Sequence, residues 1–156
     1  MSLHLVIGTP MYGGMCTSEY TDSLLKLSES CNKSGVKLTT IFLGNESLIQ
    51  RGRNTIAHHF MNLPDATHLL FIDADIKFRV EDIVRIAGED DIGRTGGVFN
   101  INTLPGIEMQ SEDEPFEIEH GGNAFMMIRR DCLQALEPHT PIYTNGGRSL
   151  PDGVEI

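Results

Sequence analysis

Four apolar residues in a row, Leu69, Leu70, Phe71 and Ile72, run directly into Asp73-Ala74-Asp75, and this junction constrains the fold more than any other stretch. A strand apolar at every position has to be covered on both faces, which places it at the centre of a sheet flanked by helices. Two carboxylates cannot stay buried alone, because taking a charge out of water is costly unless a cation or hydrogen-bond donors compensate. The chain therefore surfaces where the run ends. In an open α/β sheet the carboxyl ends of the strands border the ligand crevice, so Asp73 and Asp75 are the first candidates for a functional site.

Strand and helix patterns alternate around this run. Leu3 to Gly8 reads as a first strand, followed by the glycine-rich loop Thr9-Pro10-Met11-Tyr12-Gly13-Gly14. Thr21 to Ser34 carries Leu24, Leu25, Leu27 and Cys31 at mostly helical spacing and stops at Gly35, a residue suited to the left-handed position after a helix. Lys37 to Leu43 is β-branched and partly alternating, a second strand. Ser47 to Asn62 reads as a helix stopped by Pro64, and His68 to Ile72 as the third strand. Val80 to Ala87 is a short helix with Glu81 and Asp82 near its positive end. Gly96 to Phe99 begins a fourth strand, Phe125 to Ile128 forms a fifth, and Asp131 to Leu136 a last short helix. The acidic segment Leu104 to Glu119 is expected to be a solvated excursion or a hairpin, and residues 137–156 a loop or tail. The expectation is one α/β domain over residues 1–156, a mostly parallel, mixed sheet flanked by helices, with its core at about 3–136.

Twenty-two acidic against twelve basic side chains give a formal charge of -10. That balance argues against a nucleic-acid or anionic-membrane surface, since both require clustered Lys and Arg. No stretch reaches the roughly 18 apolar residues of a membrane span and no basic leader precedes the first strand, so a cytoplasmic protein without a transmembrane segment is expected. Cys16, Cys31 and Cys132 are odd in number and lack metal-type spacing, which fits reduced thiols better than a disulfide framework.

Carboxylate oxygens are what a hard divalent cation such as Mg or Mn takes, so Asp73 and Asp75 form a candidate metal pair. The plainer alternative has Asp73 capping the next turn and Asp75 solvated. Arg51 and Arg53 lie on the preceding helix, where a planar guanidinium can pair with these acids or with phosphate oxygens. The loop from Thr9 to Gly14 lets backbone approach a ligand and offers Tyr12 as a ring to cover a base, but it lacks the Gly-x-x-x-x-Gly-Lys pattern of a phosphate-binding loop. His58 and His59 are helix neighbours pointing about 100° apart, so they do not chelate one metal together. His120, just before the glycines, is better placed for a ligand than His68; Met126 and Met127 read as core filler.

Several of these segments fall into a known order. Gly8-Thr9-Pro10, Arg53-Asn54, the run from Leu69 to Ile76 and the segment His120-Gly121-Gly122-Asn123-Ala124-Phe125-Met126-Met127-Ile128-Arg129-Arg130 resemble the nucleotide-sugar half of GT-A glycosyltransferases, particularly family-2-like ones, over about residues 5 to 136. The resemblance implies a metal-dependent, hexosyltransferase-like enzyme taking its sugar from a nucleotide-diphospho-sugar, in most such folds a UDP-sugar, to a glycan, protein or lipid acceptor. It implies that Asp75 binds Mn or Mg at the donor's diphosphate and that Asp73 contacts ribose or a metal-bound water. It also implies that Thr9, Pro10 and Tyr12 border the nucleoside, that Arg53 steadies the diphosphate or the acidic pair, and that Gly121 and Gly122 lie against the sugar. A divalent cation there would neutralise charge developing on the leaving diphosphate.

Departures from the family pattern follow the glycine segment. An acceptor-side base is expected there, and Asp152 and Glu155 are the late acids on offer, so the acceptor half is expected to be short or missing. Asn123 and Asn100-Ile101-Asn102 also differ from the usual residues. Two other readings stay open. One is a domain that binds a nucleotide-sugar without transferring it. The other is an Asp-x-Asp phosphatase with Asp73 as nucleophile, although such enzymes place the pair after the first strand, not the third.

Overall fold

The computed structural model describes residues 3–87, 94–95, 102–103, 118–120 and 122–136. In chain order its elements are β1 (His4–Met11), a 3-10 turn at Tyr12–Gly14, α1 (Ser18–Ser34), β2 (Lys37–Gly44), α2 (Ile49–Met61), β3 (His68–Ile72) and α3 (Val80–Ala87). They are followed by β4 (Arg94–Thr95), β5 (Asn102–Thr103), β6 (Ile118–His120), β7 (Phe125–Arg129) and α4 (Arg130–Leu136). The main sheet has the order β2-β1-β3-β7-β4. β1, β2 and β3 are parallel; β7 joins β3 antiparallel and β4 is antiparallel to β7. β5 and β6 pair antiparallel as a separate ribbon. The mixed α/β sheet flanked by helices is the architecture expected from the alternation of patterns.

The unbroken apolar run is explained by period-two alternation across two covered faces. Leu5 and Ile7, Leu70 and Ile72, and Phe125 and Met127 pack with Tyr20, Leu27 and Cys31 of α1 and Ile83 of α3. Val6, Leu69 and Phe71, with partly buried Met126 and Ile128, pack with Ile56, Ala57 and Phe60 of α2 and Leu133 of α4. Met126 and Met127 are therefore core residues, one for each face.

Helix α1 begins three residues before the expected Thr21. Thr17 is its N-cap, the hydroxyl accepting from the Tyr20 N–H at 3.2 Å. The helix stops at Gly35, which adopts φ 69°, while Val36 N–H returns to the Cys31 carbonyl at 2.9 Å. β1 runs past Gly8 through Pro10 to Met11, residues expected in the loop. It can do so because pairing with β3 ends at Gly8, so Pro10 sits where β1 has β2 as its one neighbour and a missing N–H is tolerated. Gly8 permits a close approach: a Cβ there would overlap the Ile56 Cγ2 methyl of α2.

Arg130 fixes the other end of α2. Its guanidinium donates to the carbonyls of Phe60, Met61 (3.2 Å), Leu63 and Ala66 (2.6 Å) and lies 4.9 Å from the Phe60 ring centroid. These carbonyls belong to the C-terminus of the helix and the turn beyond, where a helix runs out of N–H partners; Phe60 and Leu63 also accept from the Leu63 and Ala66 N–H groups. The fourth strand expected at 96–99, most of the acidic segment and the stretch 137–156 lie outside the described residues. All three cysteines are free. Among the described residues no helix is long and apolar enough to cross a membrane.

Candidate functional site

At the carboxyl ends of β1, β2 and β3 lies an open cleft of about 520 Å3. Pro10, Tyr12, Met15, Cys16 and Thr17 line it from the β1–α1 connection, Glu46, Ser47, Ile49 and Gly52 from the start of α2, and Asp73, Ala74 and Asp75 from the turn after β3. Both acids of the pair thus face the same space as Pro10 and Tyr12. Tyr12 and Met15 are 74% and 70% exposed, a pair of large side chains at the rim rather than in the core.

The acidic turn is held from four sides. Asp73 N–H donates to the Ala124 carbonyl at 2.9 Å, joining the turn to the residues before β7. Thr17 N–H donates to the Ala74 carbonyl at 2.9 Å, so the residue that caps α1 also grips the turn. Phe78 N–H donates to the buried Ser23 hydroxyl at 3.2 Å, and its ring sits between those of Tyr20 and Phe125 at centroid distances of 6.1 and 6.0 Å. From α2, Arg53 Nη2 donates to Asp73 Oδ1 at 2.7 Å and to the Asn123 carbonyl at 3.2 Å. Arg53 is 9% exposed, its guanidinium 5.8 Å from the Phe71 ring centroid, and its buried Nε has no partner.

The two carboxylates consequently differ. Asp73 is half-buried; desolvation raises its pKa, the Arg53 charge and hydrogen bond pull it back, and Asp75 adds to the rise. Asp75 is exposed in the cleft. Asp73 has one oxygen committed to Arg53, whereas Asp75 is the carboxylate presented to solvent and to whatever enters.

Arg51, the other arginine considered for this pair, turns away. Its Nε and Nη2 donate to the Glu46 carboxylate at 2.6 and 2.7 Å, and Glu46 Oε1 also accepts from Leu48 N–H at 3.0 Å. Glu46 therefore fastens the first turn of α2, beside the cleft wall, where an acid complements the helix dipole. Thr9 does not reach the cleft: alternation puts it on the α1 face with Leu5 and Ile7, fully buried, its hydroxyl 2.6 Å from Tyr20 Oη. Gly122 is partly buried and is not part of the cleft wall; Gly121, Asp152 and Glu155 lie outside the described residues. His58 contacts Asn62 at 2.9 Å and His68 contacts Thr67 at 2.9 Å, both away from the acidic turn. Thr17 and Glu46 were overlooked in the sequence, although Thr-Ser-Glu before an apolar helix is a start signal and Glu46 lies two residues past a strand's carboxyl end.

The fold and the cleft define a mixed α/β domain with an acidic pair at the carboxyl end of its central strand. No family model matches the chain, and no curated protein does. Among solved structures, the chain is similar to A197 from STIV, with a TM-score of 0.55 and 16% identity over 85% of this chain and 68% of that one. It is also matched with a glycosyltransferase involved in the glycosylation of the major capsid of PBCV-1, with a TM-score of 0.46 and 11% identity over 92% of this chain and 71% of that one. The first of these likenesses establishes a shared fold.

Proposed function

We propose that the chain binds a nucleotide-diphospho-sugar, a UDP-sugar for preference, with a divalent cation, and acts as a glycosyltransferase. The observation that carries this reading is the juxtaposition of exposed Asp75 and half-buried Asp73 with Pro10 and the exposed Tyr12 ring in one cleft. Among the described residues no group of three His, Cys, Asp or Glu could hold a metal. One or two carboxylates completed by water and ligand oxygens suit Mg or Mn, and the oxygen-only pair fits that demand. Asp75 would be the direct ligand and Asp73, tied to Arg53, would orient the turn and contact ribose or a bound water. Bound there, the cation would neutralise the charge that collects on a departing diphosphate. Among the described residues the cleft wall carries the carboxylates Glu46, Asp73 and Asp75; Glu46 and Asp73 are paired with Arg51 and Arg53, which leaves Asp75 as the wall carboxylate that a cation would screen from a diphosphate.

A second reading, binding of the donor without transfer, is favoured by the state of Glu46. Among the described residues Glu46 is the other acid of the wall, and it is occupied by Arg51 and a backbone N–H, not held free to deprotonate an acceptor. Calorimetric titration with UDP, GDP and their sugars, with and without Mn or Mg, tests both. Metal-dependent binding lost in Asp75→Asn is expected; failure of every donor to bind with metal present would refute the reading, and binding without hydrolysis or transfer would select the second.

A further inference from the structure

We propose that the outer edge of β2 is an interface that joins two copies of this chain, antiparallel and centred on Thr40, into one continuous sheet. β2 ends the order β2-β1-β3-β7-β4, and among the described residues no strand pairs with its far side. It is matched to β1 without a register break along all eight residues, a span of roughly 26 Å at about 3.3 Å per residue. Sheet edges in monomers are commonly blunted by charges, proline, bulges or shortness. Beyond the single charge of Lys37 at its start, β2 uses none of these. After Lys37 come Leu38, Thr39, Thr40, Ile41, Phe42 and Leu43, six uncharged residues that favour strands, and the Phe42 side chain stands 49% exposed among them.

Self-pairing satisfies the geometry of this strand. A two-fold axis normal to the sheet keeps each face of one copy continuous with the same face of the other, so residues opposite each other must share a face. Leu38 packs on the α1 side, Ile41 and Leu43 on the α2 side, and alternation assigns Thr40 and Phe42 to the side of Leu38. Centring on Thr40 then sets Leu38 against Phe42, Thr39 against Ile41 and Lys37 against Leu43. Each exposed Phe42 gains an apolar cross-strand partner, and the strand's one charge, Lys37, meets no like charge. The clefts open at the carboxyl ends of the parallel strands, so antiparallel pairing sends the two clefts to opposite ends of a ten-stranded sheet and leaves both open. With a formal charge of -10 on each copy, long-range repulsion opposes the pairing, so salt strengthens it instead of weakening it.

Analytical ultracentrifugation of the full chain, from micromolar to near-millimolar concentration at low and high salt, reads this directly. The expected result is a concentration-dependent rise from one chain mass to two, shifted to lower concentration by salt, with outward-facing β2 amides exchanging more slowly in the dimer. Thr40→Lys puts two ammonium groups face to face on the axis and weakens association about tenfold or more. Phe42→Thr keeps strand propensity, removes the ring, and also weakens it; circular dichroism confirms that each variant is folded. A wild-type chain monomeric throughout overturns the proposal, as does a folded Phe42→Thr or Thr40→Lys dimer as tight as wild type. Edge amides protected equally at every concentration also overturn it, because the chain itself would then cover β2. Should Thr40→Lys fail to fold, the wild-type series and Phe42→Thr still decide.

Discussion

Replacing Arg53 by Met keeps the length and apolar packing of the side chain and removes its charge, with the bonds to Asp73 and to the Asn123 carbonyl; the double variant with Asp73→Asn separates the part that belongs to Asp73. Breaking a buried ion pair by deleting one partner costs about 3–5 kcal/mol, because the remaining charge is stranded. Asp73 is 28% exposed, so water screens part of this and the lower end, about 3 kcal/mol, applies. Met also removes the unpartnered buried Nε, which returns about 1 kcal/mol. The net expected loss near neutral pH is therefore about 2 kcal/mol. Its pH dependence is the sharper test. Burial already raises the Asp73 pKa in spite of Arg53; without Arg53 it rises further, and Asp73 takes up a proton in acid more readily in the folded variant than in the unfolded chain. The penalty is thus full well above that raised pKa and shrinks as pH falls toward the ordinary carboxylate range. Urea unfolding of wild type, Arg53→Met, Asp73→Asn and the double variant, at neutral and mildly acidic pH, measures it. A loss equal at both pH values, or no recovery when Asp73→Asn is added to Arg53→Met, would refute the charge-coupling argument.

Other consequences follow from the packing. Gly8→Ala drives a methyl into Ile56 Cγ2 and should lower stability by about 1–3 kcal/mol, read as a lower urea midpoint; an unchanged midpoint would show that α2 can retreat freely. Arg130→Met removes the guanidinium's bonds to the carbonyls of Phe60, Met61, Leu63 and Ala66, of which Phe60 and Leu63 keep a backbone N–H, and should cost about 1–3 kcal/mol, with faster hydrogen exchange at the end of α2; Arg130→Lys, a single compact charge, should recover less than half of the loss. His4 and His68 both have pKa values lowered from 6.5, chiefly by burial, with Lys37 and Arg129 respectively adding to it. The folded state then holds fewer protons than the unfolded one, so their contribution is complete above pH 6.5 and drains away as pH falls below it. Urea midpoints measured from pH 8 to 5 should fall across that window, and replacing His4 and His68 by Gln should flatten the drop.

Much of this fold was legible because its signals are local. The alternation of apolar runs with 3.6-residue patterns reports β1 to α3 within a few residues, and Leu69 to Ile72 needs two covers wherever the rest of the chain goes. Less local facts escaped. β1 continues through Pro10 because its neighbour on one side has ended, which depends on where β3 stops. Phe125 to Ile128 announces a strand but not its direction, since an apolar run reads the same both ways; the antiparallel pairing of β7 emerges in three dimensions. Residue type and position led to Asp73, Asp75, Pro10 and Tyr12, which the structure brings to one cleft, and to Arg53, which bonds Asp73. Thr9 was expected beside the nucleoside from its place next to the loop, and the structure buries it against Tyr20 on the α1 side: parity along the strand, not distance from the loop, decides which face a position takes. Arg130 was noticed only as part of a motif, and its role is mechanical, closing α2.

The antiparallel docking of β7 on β3 brings the start of one strand to the end of the other. The chain leaves β3 at Asp73, and Ala124, roughly fifty positions on, accepts the Asp73 N–H just before β7 begins. Departure and arrival thus coincide in space. Asp73, Arg53 and the Asn123 carbonyl are therefore fixed relative to one another by strand pairing and by one guanidinium, so a substitution that shifts the start of β7 acts on the acidic turn directly, however far apart the two lie in sequence.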